Sequence, residues 1–177
     1  MLKLRILTRP EDLVPPAEEL AKAGGRGISN AVKRHLVARD EARPPKDAMP
    51  KSGYYGKAAS GVTTDAHGNI AVVTVPKEGM ALHYYGGVVY PTAGHKALAI
   101  PKVAATAGKR PADYDPDRSK LALVWPKGSK TGTLRSRDNG EVFYILVRKA
   151  KIEADKTVMP TDGELENAAI AAMEAIL

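Results

Sequence analysis

The stretch from Met80 to Pro101 constrains the fold more tightly than any other part of the chain. It reads Met-Ala-Leu-His-Tyr-Tyr-Gly-Gly-Val-Val-Tyr-Pro, then Thr-Ala-Gly-His-Lys-Ala-Leu-Ala-Ile-Pro. The run Met80–Tyr85 meets Gly86-Gly87, the run Val88–Tyr90 is stopped by Pro91, and the run Lys96–Ile100 is stopped by Pro101. Short runs rich in Val, Ile and Tyr, punctuated by Gly and Pro, read as strands joined by tight turns. Glycine belongs where φ is positive or another backbone comes close. This stretch is therefore expected to be the centre of a small antiparallel sheet.

A chain of 177 residues suits one domain, with an N-terminal strand and short helix over 1–24 and a core over 25–177. It holds no cysteine, which excludes disulfides and thiolate chemistry. No apolar run approaches the roughly 20 residues that span a bilayer. The N-terminus alternates and has no long apolar segment, so no signal peptide and no membrane partner are expected. The net charge of +7 is uneven: residues 1–78 carry +4, residues 79–137 carry +7 and residues 138–177 carry −4. A basic middle attracts polyanions at long range, and a basic middle with an acidic tail also favours attraction between copies.

In chain order, Leu2–Leu7 alternates as an edge strand. Pro15 and Pro16 open a short helix over Ala17–Ala23, which Gly24-Gly25 is expected to end. Ile28, Ala31, Val32, His35 and Leu36 then line one face of a second helix that stops before Arg43-Pro44-Pro45. Residues 43–56 read as a long loop, with Tyr54, Tyr55, Ala58 and Ala59 docking its end as a helical turn. A β-hairpin follows, its two arms flanking Asp65-Ala66-His67-Gly68. Residues 108–120 read as an exposed excursion. Leu121–Trp125 is a short strand, and the apolar run Val142–Val147 is a strand buried on both faces. Thr161-Asp162-Gly163-Glu164 fits a capping box at the start of a last helix, whose stripe is Leu165, Ala169, Ala172, Met173 and Ile176. The fold class is α+β: a small, mostly antiparallel sheet with two main helices packed on one face, long loops and a β-hairpin.

Catalysis and cofactors find little footing. His35, His67, His83 and His95 show no metal-ligand spacing, and no Asp or Glu lies between Glu78 and Asp113. His35, on an apolar helical face, is expected to bond a carbonyl. Lys127-Gly128-Ser129-Lys130-Thr131-Gly132 lacks the Gly-Lys-Ser/Thr order of a phosphate loop. No nucleophile elbow occurs. The expectation is no enzyme, no metal and no cofactor; a small hydrolase would need a pocket with titratable groups.

Two sets of residues carry the interaction chemistry. Arg118, Lys120, Lys127, Lys130, Arg135 and Arg137 fall in a stretch with no acid from residue 118 to residue 137. They read as a DNA-facing surface, as a contact for an acidic partner ring or the acidic C-terminal helix of a neighbouring copy, or as a solvated hairpin. Trp125 is the sole aromatic among them, so contact with DNA is expected at phosphates and independent of base sequence. Tyr84, Tyr85 and Tyr90, with Gly86 and Gly87, form the expected interface. Adjacent strand residues point to opposite faces, so one of Tyr84 and Tyr85 should pack inward and the other meet a second subunit.

Three pieces of the chain together resemble the virion-morphogenesis or tail-completion proteins of tailed phages and prophages, found at the head–tail junction. They are Arg34-His35-Leu36 with Asp40 and a proline-rich loop, then His83-Tyr84-Tyr85-Gly86-Gly87-Val88-Val89-Tyr90-Pro91 with Lys96-Ala97-Leu98-Ala99-Ile100-Pro101. The third is Tyr144-Ile145-Leu146-Val147, a basic strand, and Val158-Met159-Pro160 before a final helix. The family often has Leu-Pro where this chain has Met159-Pro160. The resemblance implies two helices on a small sheet and a ring, most often a hexamer, on the DNA path at the neck. It implies partners among head-completion, connector and tail proteins, passage of DNA, location in the virion or in host cytoplasm during assembly, and no catalysis. The alternative is a stand-alone basic nucleic-acid-binding domain.

Overall fold

The computed structural model describes residues 15–42 and 53–177. The expected strand Leu2–Leu7 and most of the proline-rich loop lie outside the described residues. In chain order the elements are α1 (Ala17–Ala42), α2 (Tyr54–Ser60), β1 (Thr63–His67), β2 (Ile70–Thr74), α3 (Met80–Tyr85), β3 (Gly87–Val89), β4 (Leu98–Pro101), α4 (Pro111–Tyr114), β5 (Leu121–Val124), β6 (Thr131–Ser136), β7 (Val142–Val147), β8 (Ala150–Ile152) and α5 (Asp162–Glu174). Short 3-10 turns occur at Ala104–Thr106 and Lys156–Val158. The fold is α+β with small antiparallel sheets. The described residues divide into two compact units, one of residues 15–39, 55–80 and 157–177, the other of residues 40–42, 53–54 and 81–156.

The first unit is built on α1, which runs unbroken through Gly24-Gly25. The expected stop there does not occur, because these glycines are packing positions. A Cβ on Gly27 would collide with the Ala168 carbonyl oxygen of α5 and come within 2.8 Å of the Ala172 Cβ. Gly24 faces the Met173 sulfur, and a Cβ on Gly25 would meet the Ala71 Cβ of β2 at 2.7 Å. Two glycines thus admit α5 and the third admits the β1–β2 hairpin, so close contact offsets their low helix propensity. The predicted stripe holds: Val32 and Leu36 are buried, and Ile28, Ala31 and His35 half-buried. Tyr55, Ala58, Ala59, Val62, Met80 and Val158 complete this core. The hairpin turns at Gly68-Asn69, two residues beyond the expected centre, with Gly68 at φ +58° and His67 paired to Ile70. At α5 the capping box forms: the Glu164 N–H donates to the Thr161 hydroxyl at 3.3 Å and the Thr161 N–H to the Glu164 carboxylate at 2.8 Å. Ile176 lies beyond the end of α5 and leaves the predicted stripe.

The second unit contains the four-stranded sheet β4-β7-β6-β5 and the two-stranded sheet β3-β8. One face of the larger sheet is the core, where Tyr144, Leu146 and Leu121 are buried; the expected burial of Val142–Val147 on both faces does not hold, since Phe143, Ile145 and Val147 on the other face are half-buried. The Tyr144 hydroxyl donates to the Lys109 carbonyl at 3.2 Å, and the Thr106 hydroxyl to the Val103 carbonyl at 2.8 Å. The stretch Met80–Pro101 departs from expectation. Its first run is a helix, and its second and third runs are strands of two different sheets. Helix formation satisfies the backbone of Met80–Tyr85 locally, and Gly86 at φ +73° ends it, its N–H bonding the Leu82 carbonyl at 2.9 Å. The strand β6 was not anticipated: Thr131-Gly132-Thr133-Leu134-Arg135-Ser136 has weak apolar content, yet it is an inner strand between β5 and β7.

Candidate functional site

Tyr84 and Tyr85 occupy the end of α3, so the opposite-face geometry of a strand does not apply. Consecutive helical residues are about 100° apart, and the two rings meet edge to face at 4.8 Å. Lys156 caps both, its Nζ 3.8 Å from the Tyr84 ring centre and 4.3 Å from that of Tyr85. Tyr84 is half-buried, whereas Tyr85 is 71% and Tyr90 63% exposed. Gly86 is required twice over: by its positive φ, and because a Cβ there would sit 2.7 Å from the Ala154 amide nitrogen. A Cβ on Gly87 would press on Leu82 at 2.7 Å. The two glycines hold α3 and β3 against β8 and the residues after it. That leaves Tyr85 at the end of α3, Val88 in β3 and Tyr90 just after it presented to solvent, and among the described residues β3 has one partner strand, β8.

All six candidate cations are exposed. The structure sorts them to the two ends of the β5–β6 hairpin. Arg118, Lys120, Arg135 and Arg137 gather at the open end, where the Arg137 N–H bonds the Lys120 carbonyl at 2.8 Å and Arg135 lies opposite Ala122. Lys127 and Lys130 lie at the turn. The open end is tied down by Asp115, which is almost fully buried and accepts the N–H groups of Ser119, Lys120 and Leu121 at 2.9–3.2 Å. Burial pushes the Asp115 carboxyl up, but these N–H groups outweigh it and hold it below the ordinary range. The stretch read as an exposed excursion is exposed over most of its length, and it closes about the Asp115 carboxylate, with Arg118 at φ +55°.

The turn end is assembled around Trp125. Its indole N–H donates to the Ser129 carbonyl at 3.0 Å. Its ring lies against Gly132, where a Cβ would stand 2.7 Å from Cδ2. Arg148, just past β7, places its guanidinium 5.9 Å from the ring centre. Trp125, Lys127, Ser129, Lys130 and Arg148 surround a recess of about 380 Å³. Because the chain runs from strand to strand here, it does not form the strand–loop–helix cradle of a nucleotide site. A second recess, about 500 Å³, opens on the core side of the sheet between Leu123, Trp125, Leu146, Lys96, His95 and Arg110.

The histidines are dispersed. His35 bonds the Thr157 carbonyl at 2.9 Å, as its helical position predicts, and Arg39 reaches the same carbonyl at 2.9 Å. His67 lies 3.3 Å from Asp65, and the His83 ring meets the Tyr54 ring at a 46° tilt with centres 5.1 Å apart. Among the described residues no group of three His, Asp or Glu side chains could hold a metal ion, and no helix is long and apolar enough to cross a membrane. Sequence reasoning missed Arg148, Asp115 and the placing of Trp125. Asp115 carried a signal, an acid six residues before a strand start, whereas Arg148 comes to Trp125 only through sheet pairing. No protein-family model matches the chain, and no curated protein or solved structure is similar enough to match.

Proposed function

We propose that the chain is a structural subunit of a tailed-phage or prophage particle, forming a ring at the head–tail junction that completes the tail or joins it to the head and lets DNA pass. The observation that carries this reading is the exposed segment Tyr85, Val88 and Tyr90, at the end of α3, within β3 and just after it, where β3 has one partner strand among the described residues. Unpaired edges and exposed tyrosines favour association with another chain. The outer face of the larger sheet adds to it. There Ile100, Ile145, Thr133 and Val124 form one cross-strand row, with Ile100 42% and Val124 40% exposed. Large exposed apolar surface marks interaction sites. The ring itself and its place at the head–tail junction come from the resemblance, carried most strongly by the His83–Pro91 and Lys96–Pro101 motifs.

The test is to delete the gene from the genome that carries it and image the resulting particles. Heads and tails are expected to remain separate, and joined, infectious particles in the deletion strain would overturn the reading. Complementation with Tyr85→Ala/Tyr90→Ala is expected to fail although the variant unfolds at the same urea concentration as the parent. A stand-alone nucleic-acid-binding domain is the second reading, favoured by the exposed cations of the β5–β6 hairpin. It requires tight duplex binding at physiological salt, whereas a ring subunit holds free DNA weakly.

A further inference from the structure

We infer that the β5–β6 turn is a contact for the phosphate backbone of duplex DNA, formed by Lys127, Lys130 and Arg148, and that the open end of the hairpin is not. Three cations from two separate segments converge on one recess beside Trp125. Among the described residues, Lys127 and Lys130 have no hydrogen-bonding or ion-pair partner, and Arg148 contacts the Trp125 ring. No Asp or Glu lies between Asp117 and Asp138, or between Glu141 and Glu153, so neither segment supplies its own counter-charge. At the open end, by contrast, Arg137 donates to the Leu121 carbonyl, Arg135 donates to the Thr133 hydroxyl, and the Lys120 ammonium lies 5.9 Å from the Tyr114 ring centre. Three of the four cations there are held by the hairpin and its neighbouring loop.

The geometry selects the ligand. The Trp125 ring is occupied by Gly132 and Arg148 and its N–H by Ser129, so a base has little of the ring to stack on. Gly128 sits at φ +81° with open space where a Cβ would be, which lets a backbone approach the turn closely. Lysines are compact point charges suited to phosphate oxygens spread along a strand. Arg148, its guanidinium 5.9 Å from the indole centre, adds a third positive charge beside the two lysines. Contact is therefore with phosphates and indifferent to sequence. This inference stands independently of ring assembly, and particle imaging and duplex binding fail separately.

The experiment titrates the full chain with two duplexes of unrelated sequence from 50 to 200 mM salt, read by the fluorescence of Trp125, the sole tryptophan. Three phosphate contacts give a fall in affinity of about 40-fold over that range, equal for both duplexes. Lys127→Gln/Lys130→Gln leaves one contact and a fall of about 3- to 4-fold. Arg118→Gln/Arg135→Gln retains the parent's slope. An unchanged slope in the Lys127/Lys130 variant, or no duplex binding at 50 mM salt, overturns the inference. So does polyglutamate binding as tightly as DNA at equal charge, which would assign the turn to an acidic protein surface.

Discussion

Replacing Gly27 by alanine tests the packing of the first unit directly, because two effects of opposite sign compete there. Helix propensity alone favours alanine over glycine by about 1 kcal/mol in a helix interior. The new Cβ, however, would collide with the carbonyl oxygen of Ala168 and stand 2.8 Å from the Ala172 Cβ. The first obstacle is backbone and cannot rotate away, so α5 must move off α1. Overpacking costs roughly 1–3 kcal/mol, and a backbone obstacle belongs at the upper end. The net expectation for Gly27→Ala is a loss of about 2 kcal/mol, or about 4–8 °C in Tm for a chain of this size. Gly163 in α5 is the matched control, since nothing lies within 4 Å of the position its Cβ would take. Gly163→Ala should be neutral or stabilising by up to about 1 kcal/mol. Urea unfolding followed by helical circular dichroism at 222 nm measures both. A Gly27→Ala protein as stable as its parent, or more so, would mean that α1 and α5 do not approach as closely as described.

Two further predictions concern single contacts. Thr161→Ala should remove about 1 kcal/mol at neutral pH through loss of the cap. The backbone N–H of Thr161, and then its hydroxyl, hold the Glu164 carboxyl below its usual value. Its contribution is therefore present above the unfolded carboxyl range near pH 4 and lost as pH falls through the lower folded value. Alanine keeps the backbone N–H and loses the hydroxyl, so the gap in urea midpoint between parent and variant should narrow at pH 3 by the hydroxyl's share, and a constant gap would rule out a hydroxyl bond to the Glu164 carboxylate. Gly132→Ala should displace Trp125 from the sheet and break its bond to Ser129. The expected readings are a red-shifted emission maximum and a weakened near-ultraviolet dichroism; unchanged spectra would show that the indole does not lie on Gly132.

How far the sequence was legible depended on whether a signal was local. The face Val32–Leu36, the hairpin after Gly61, the strand Val142–Val147 and the Thr161 cap all rest on short-range periodicity or on bonds spanning three residues. Each was readable. The run Met80–Tyr85 was not, because a short apolar stretch suits helix and strand alike, and the Gly-Gly that follows serves as a helix end as well as a strand junction. For the candidate site, the residue types were visible but their grouping was not. Six cations that look like one patch in the chain divide between two ends of a hairpin, and a seventh, Arg148, joins one end from just past β7.

Sequence alone determined the α+β character, the excess of positive charge in the middle of the chain, and the start of the last helix, since each follows from composition or from neighbours a few residues apart. Tertiary structure alone decided that α1 passes through Gly24, Gly25 and Gly27. A glycine costs a helix about 1 kcal/mol whatever surrounds it, and only the approach of Ala168 and Ala71 makes a side chain there worse than none. The same holds for β6 as an inner strand and for Trp125 against Gly132. Backbone pairing and steric fit between distant segments set those positions, and intrinsic preference is too weak to do so.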